Sequence, residues 1–172
     1  AARRTKASYS DARFVLIGTG DPGNPATVPE AQLRRWADEG VIEWWGQRDD
    51  MPEVLARAAI VCLPSFYREG VPRVLIEAAA CGRPIVTTDM PGCREIVRNG
   101  VNGLLVPARN GPALANAITR LLDQPAVREA MGRRSREIAQ NEFGSELVIS
   151  QTLEVYRHLL AGGAATRQDS SS

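Results

Sequence analysis

Short apolar runs alternate with amphipathic stretches over the first two thirds of the chain. Residues 13–18, RFVLIG, are apolar and end in glycine, the pattern of a buried parallel strand. Residues 41–46, 60–64, 85–88 and 103–106 repeat that pattern. Between them, residues 29–39, 50–59 and 72–81 read as helices, and 93–98 as one or two helical turns. Pro29 and Pro72 suit first helical turns, and Asp50 with Glu53 three residues on makes a capping box. Residues 20–28 are a Pro/Gly/Asn loop.

Strands alternating with helices predict an α/β fold, a Rossmann-like parallel sheet with helices on both faces. The last third differs, because three helical stripes follow with no strand between them. These are Leu114, Ile118, Leu121 and Leu122; then Val127, Ala130 and Met131; then Ile149, Leu153, Tyr156 and Leu160. They are expected to pack on one flank of the sheet or to bridge to a partner. Residues 1–12 read as a lead-in, either a helix remnant or loose. The folded domain is predicted over 13–161, with a polar, disordered tail over 162–172.

Composition narrows the classes. The 172 residues suffice for about one domain with a core. A formal net charge of +1 with no basic block argues against nucleic acid as partner. No apolar run reaches the ~20 residues a membrane span needs, and no signal peptide is visible. The first residue is Ala, so a cut or processed piece is expected. Cys62, Cys81 and Cys93 form no CxxC pair or Cys/His cluster, so the expectation is reduced, mostly buried thiols, a cytoplasmic setting and no metal.

Candidate chemistry concentrates at residues 65–80, SFYREGVPRVLIEAAA. Glu69 precedes a turn and Glu77 lies on the helix that the turn opens. The amides of Arg73, Val74 and Leu75 are expected to lack helical partners, which makes an anion site at the helix start. Glu77 can accept from two vicinal hydroxyls such as those of ribose, and Glu69 from sugar hydroxyls. Two glutamates eight apart are common by chance, so the flanking sequence decides.

That sequence, EGVPRVLIEAAACGRPIVTTDMPGCREIVRNGVNGLLVP over residues 69–107, resembles the C-terminal domain signature of the retaining GT-B glycosyltransferases, family four. The resemblance spans about residues 14–160. YREGVPR with TTDMPGCRE is similar to bacterial enzymes of lipopolysaccharide, capsule or lipid-linked glycan synthesis. It implies that Glu69 contacts the donor sugar as the catalytic-site acid and Glu77 binds the ribose. Gly70, Arg73 and Val74 would meet the pyrophosphate. Gly46, Gln47 and Arg48 would lie near the base, Gly18 and Gly20 would border the cleft, and Asp89, Pro91 and Gly92 would border the sugar pocket. Where the family often has two glycines, this chain has Pro91-Gly92.

The implied reaction transfers a sugar, with retention, from a nucleotide diphosphate sugar to an acceptor hydroxyl. UDP-sugar is the favoured donor, and no cofactor or metal is needed. The implied partners are an N-terminal acceptor domain of the same protein and a lipid-linked glycan, at the cytoplasmic face of the plasma membrane. The chain alone is expected to be inactive. The alternative is a non-catalytic nucleotide-sugar-binding or interaction module.

Five further features weigh less. Gly18, Gly20 and Gly23 match GxGxxG, but Pro22 and Pro25 bar an immediate helix, which argues against a dinucleotide site. Asp49-Asp50 reads as a cap rather than a metal pair. One of Trp44 and Trp45 is expected in the core, with the other available to the cleft. His158 is expected on the surface or packed. Arg133, Arg134 and Arg136 read as a solvated face that could also meet anionic headgroups.

Overall fold

The computed structural model describes residues 1–21, 23–24, 27–66 and 70–165, with side chains through Leu160. The elements run α1 (Ala2–Lys6), β1 (Val15–Leu16), α2 (Glu30–Asp38), β2 (Glu43–Trp44), α3 (Met51–Arg57), β3 (Val61–Leu63) and α4 (Arg73–Ala80). There follow β4 (Ile85–Thr88), α5 (Pro91–Ile96), β5 (Gly103–Val106), α6 (Gly111–Asp123), α7 (Pro125–Glu142) and α8 (Ser145–Ala165). The expected α/β alternation is present, and every strand pair among the described residues is parallel.

The strands form two groups, β1-β2 and β3-β4-β5. Central β4 is buried on both faces, so its residues divide between two cores by the strand period of two. Ile85 joins Leu75, Ala78, Ala79, Cys93, Ile96 and Ile138 under α4, α5 and α7. Val86 faces the other way, into Leu104, Val106, Ile118, Leu121 and Met131 under α6 and α7. The buried hydroxyls of β4 find acceptors: Thr87 Oγ1 donates to the Leu63 carbonyl at 2.7 Å, and Thr88 Oγ1 to that of Ser65. Phe14 and Ile60, just before β1 and β3, pack on the second core.

At Gly103 a Cβ would overlap the Ile85 carbonyl, so only glycine lets β5 lie this close to β4. Asn102, fully buried, spans the preceding turn. Its Nδ2 donates to the Ile96 carbonyl at 2.9 Å and its Oδ1 accepts from the Arg98 amide at 2.7 Å.

Several expectations change. Val15 and Leu16 are exposed rather than buried, and β2 is the described strand that pairs with β1. Asp50 stands at the N-cap of α3 but makes no side-chain cap, since its carboxylate is taken by Arg48. Pro72 is the N-cap of α4, one place earlier than a first-turn proline. Trp44 and Trp45 are both half-buried, with neither in the core. Arg34 lies over the first ring, at 5.5 Å, and Arg48 over the second, at 5.8 Å. Among the cysteines only Cys93 is buried; Cys81 is half-buried and Cys62 exposed.

The first two late stripes pack as expected, apart from Ala130, which is exposed. The third does not: Ile149, Leu153, Tyr156 and Leu160 all lie exposed on α8. His158 is on that same exposed helix, within 4.0 Å of Glu154. Among the described residues no helix is long and apolar enough to cross a membrane, and no cluster of His, Cys, Asp or Glu could hold a metal. Residues 166–172, most of the expected tail, lie outside the described residues.

Candidate functional site

In a parallel α/β fold, ligands bind beyond the carboxyl ends of the strands, where loops diverge to helices. The candidate residues occupy those ends. Gly18 follows β1, Gly46 to Arg48 follow β2, Gly70 to Glu77 follow β3, and Asp89 to Gly92 follow β4.

Gly18 and Gly46 are joined directly. The Gly18 amide donates to the Gly46 carbonyl at 2.8 Å, and both have positive φ, 116° and 67°. A side chain at either would be strained. Trp44 Nε1 donates to the Gly18 carbonyl at 2.8 Å, so the ring edge braces this corner. Gly20 lies beside Thr27, Gln47 is exposed, and Arg48 is held by Asp50 with a closest approach of 2.5 Å. That ion pair lowers the Asp50 carboxyl below its ordinary range, chiefly through the hydrogen bond from Arg48.

At the start of α4, Gly70 has open space around it. The Leu75 amide donates to the Pro72 carbonyl at 3.0 Å, which corrects the expectation of three free amides. The amides of Arg73 and Val74 have no backbone partner among the described residues. Arg73 Nε and Glu77 Oε1 meet at 3.1 Å, an i,i+4 pair. The Arg73 side chain is 91% exposed and that of Glu77 36%, so the arginine can swing away while the glutamate stays seated. Glu69, with Tyr67 and Arg68, lies outside the described residues.

After β4, Met90 caps α5, Pro91 sits in its first turn and Gly92 is buried. Asp89 is exposed and held by Arg94, with Nε to Oδ1 at 2.5 Å; that hydrogen bond lowers its carboxyl pKa. The Asp89 amide donates to the Val106 carbonyl at 2.8 Å, which ties the turn to the end of β5.

Arg109 was not foreseen. It follows β5, has the left-handed φ of 58°, and places its guanidinium 4.5 Å from the centre of the Phe66 ring. It thereby joins the loop after β5 to the segment just before residues 67–69. A lone arginine in a loop carries no sequence pattern that signals such stacking. Thr88 makes a second link, to Ser65. Two clefts elsewhere, one around Ser8 to Ala12 and one around Arg57 and Arg83, include none of the candidate residues.

Known proteins resemble this chain in sequence and in fold. The family described as Glycosyl transferases group 1 matches residues 1–124. The N,N'-diacetylbacillosaminyl-diphospho-undecaprenol alpha-1,3-N-acetylgalactosaminyltransferase of Campylobacter jejuni is 30% identical over 149 residues, 87% of this chain and 38% of that protein. The D-inositol 3-phosphate glycosyltransferase of Kribbella flavida is 36% identical over 151 residues, 84% of this chain and 35% of that one. Among solved structures, HepE of Anabaena in complex with UDP superposes with a TM-score of 0.78 at 28% identity, over 86% of this chain and 41% of that one. Sucrose-phosphate synthase of Thermosynechococcus elongatus superposes at 0.79 and 30% identity, over 94% and 42%. The chain thus spans less than half the length of these relatives, and its fold is one Rossmann-like half of the GT-B architecture. With its family match covering most of its length, this chain belongs to the glycosyl transferases group 1 family.

Proposed function

We propose that this chain is the donor-binding half of a glycosyltransferase that moves a sugar, with retention, from a UDP-sugar to an acceptor hydroxyl. The carrying observation is the Arg73–Glu77 pair on the first turns of α4, beyond β3, beside two amides with no backbone partner. A nucleotide diphosphate matches that layout. Glu77 accepts from the ribose hydroxyls once Arg73 leaves it, and Arg73 swings to the pyrophosphate. The Arg73 and Val74 amides and the positive end of α4 take up the negative charge that grows as the sugar departs.

Glu69 holds the donor sugar with its anomeric carbon towards the acceptor hydroxyl, and Asp89 to Gly92 border its pocket. Gly18, Gly20 and Gly46 to Arg48 line the side nearest the base. Gly70 leaves room for the phosphates. The acceptor reaches this site from an N-terminal domain of the same protein, which agrees with the greater length of the relatives. A lipid-linked glycan at the inner face of the plasma membrane is the proposed acceptor. The undecaprenol-linked compound in the name of the Campylobacter relative supports that class. Lipopolysaccharide or capsule assembly is the proposed setting.

The test is calorimetric titration of the full-length protein with UDP-sugars and GDP-sugars, together with turnover assays. Glu77→Ala is expected to weaken nucleotide binding about tenfold or more, as loss of hydrogen bonds to a charged acceptor does. Glu69→Ala is expected mainly to lower turnover. Wild-type behaviour in both variants would overturn the assigned roles.

A further inference from the structure

The twenty arginines of this chain differ in their partners. Nine of them, from Arg3 to Arg134, pair with a carboxylate. Five others line one open cleft of about 580 Å³: Arg57, Arg83, Arg128, Arg133 and Arg136. Glu129 is the one acidic residue among its lining residues, and none of the five arginines forms an ion pair with it or with any other described carboxylate.

Three elements build the cleft. Gly82, at φ 66°, turns the chain from α4 towards β4, and α7 crosses this turn at Gly132. A Cβ on Gly132 would overlap the Gly82 carbonyl, so the bare glycine seats the helix there. Arg128, Gly132 and Arg136 recur every four residues on α7, one stripe of the helix. The two arginines therefore flank the turn. Arg57 comes from the last turn of α3. Arg83 is fixed across the floor, donating to the Cys81 carbonyl at 2.9 Å and the Ala58 carbonyl at 3.2 Å. Arg128 Nη1 donates to the Leu121 carbonyl at 3.2 Å. Arg57, Arg133 and Arg136 make no hydrogen bond or ion pair among the described residues.

Like charges gathered without counterions repel, and the cost falls when an anion enters. Planar guanidiniums match phosphate oxygens two at a time, which sets phosphate above other small anions. Ala58, Ala59 and Pro84 place the cleft just before β3 and β4, at the end of the sheet opposite the candidate donor residues. We propose that this cleft is a second, separate anion site that binds a phosphate-bearing ligand carrying more than one negative charge. It does not depend on the donor-site reading.

The probe is inorganic pyrophosphate, followed by amide NMR of the full chain. The Gly82 and Gly132 amides report on the cleft, while Gly70 and Gly92 report on the donor end. Pyrophosphate at millimolar concentration is expected to shift Gly82 and Gly132, with an affinity lowered at least about tenfold in Arg133→Ala/Arg136→Ala. Both residues are exposed, so the fold should survive, and a circular-dichroism melt checks it. Co-sedimentation with phosphatidylglycerol vesicles, against phosphatidylcholine vesicles, then identifies the source. Binding lost in the double variant means a lipid headgroup; pyrophosphate binding without sedimentation means a soluble phosphate ester. Unmoved Gly82 and Gly132 amides, or equal shifts in the double variant, would overturn the proposal.

Discussion

Ser135 on α7 donates its hydroxyl to the backbone carbonyl of Asn102 at 3.0 Å, and both residues are fully buried. This bond fastens a late helix to the turn that launches β5. Asn102 is committed on every side, through Ile96, Arg98 and Ser135. Removing its amide leaves the Ile96 carbonyl and the Arg98 amide without their partner. Asn102→Ala is expected to cost about 2–3 kcal/mol, as two abandoned buried groups do. Ser135→Ala should cost about 1 kcal/mol. Urea denaturation checks both, and equal losses would contradict the central place given to Asn102.

Gly132→Ala tests the seat of α7. The new methyl group meets the Gly82 carbonyl, which is backbone and cannot rotate away. Overpacking of this kind is expected to lower stability by about 1–3 kcal/mol. Gly144→Ala, on the loop after α7, meets the Gln140 carbonyl at an easier 3.1 Å and should lose less. A chemical-denaturation midpoint is the measurement, and a neutral Gly132→Ala would mean that α7 is free to shift.

β4 and β5 were legible at residues 85–88 and 103–106 because both strands are short apolar runs bounded by turn residues. The candidate site was legible as a neighbourhood, since the runs after each strand carry the glycines and acids. What failed was contact chemistry. Asp50 has the right spacing for a cap, but Arg48 two residues away competes for its carboxylate and wins. The adjacent tryptophans were expected to divide between core and cleft, yet a surface arginine lies over each ring. The Arg109–Phe66 stack spans 43 positions, beyond any local pattern. α8 shows the reverse case: its apolar stripe predicts burial that this chain does not supply. Leu153→Ala should therefore change the stability of the isolated chain by less than about 0.5 kcal/mol, the range of exposed positions. A larger loss in a thermal melt would reveal cover on α8.

Glu43 supplies a prediction in pH. Arg13 Nε and Glu43 Oε1 lie 2.6 Å apart, and Trp45 Nε1 donates to the other carboxylate oxygen at 3.2 Å. The hydrogen bond from Arg13 is the larger cause, and the Glu43 carboxyl is lowered to about 2. A carboxyl depressed on folding stabilises above its ordinary value of 4.5, and that contribution disappears as pH falls towards about 2. The side chains are well exposed, so salt should weaken the effect. Carbon-detected NMR of Glu43 is expected to show a midpoint near 2 that returns towards 4.5 in Arg13→Ala. An unchanged midpoint in that variant would assign the shift elsewhere.

Arg73 and Glu77 are proposed to part when nucleotide binds, and that makes their substitutions unequal. Arg73→Ala releases the Glu77 carboxylate from its 3.1 Å pairing while removing a cation. In the full-length protein, uridine, which has a ribose but no phosphate, should then bind as well as to wild type or slightly better. UDP should bind more weakly, because the pyrophosphate has lost a counter-charge. Glu77→Ala should weaken both ligands, and 2′-deoxyuridine should bind it no worse than uridine does. The double variant then isolates the pair: once Glu77 is alanine, Arg73→Ala should no longer favour uridine, because the pairing that it relieved is gone. If Arg73→Ala weakens uridine as much as UDP, the arginine positions the glutamate rather than yielding it to the ligand.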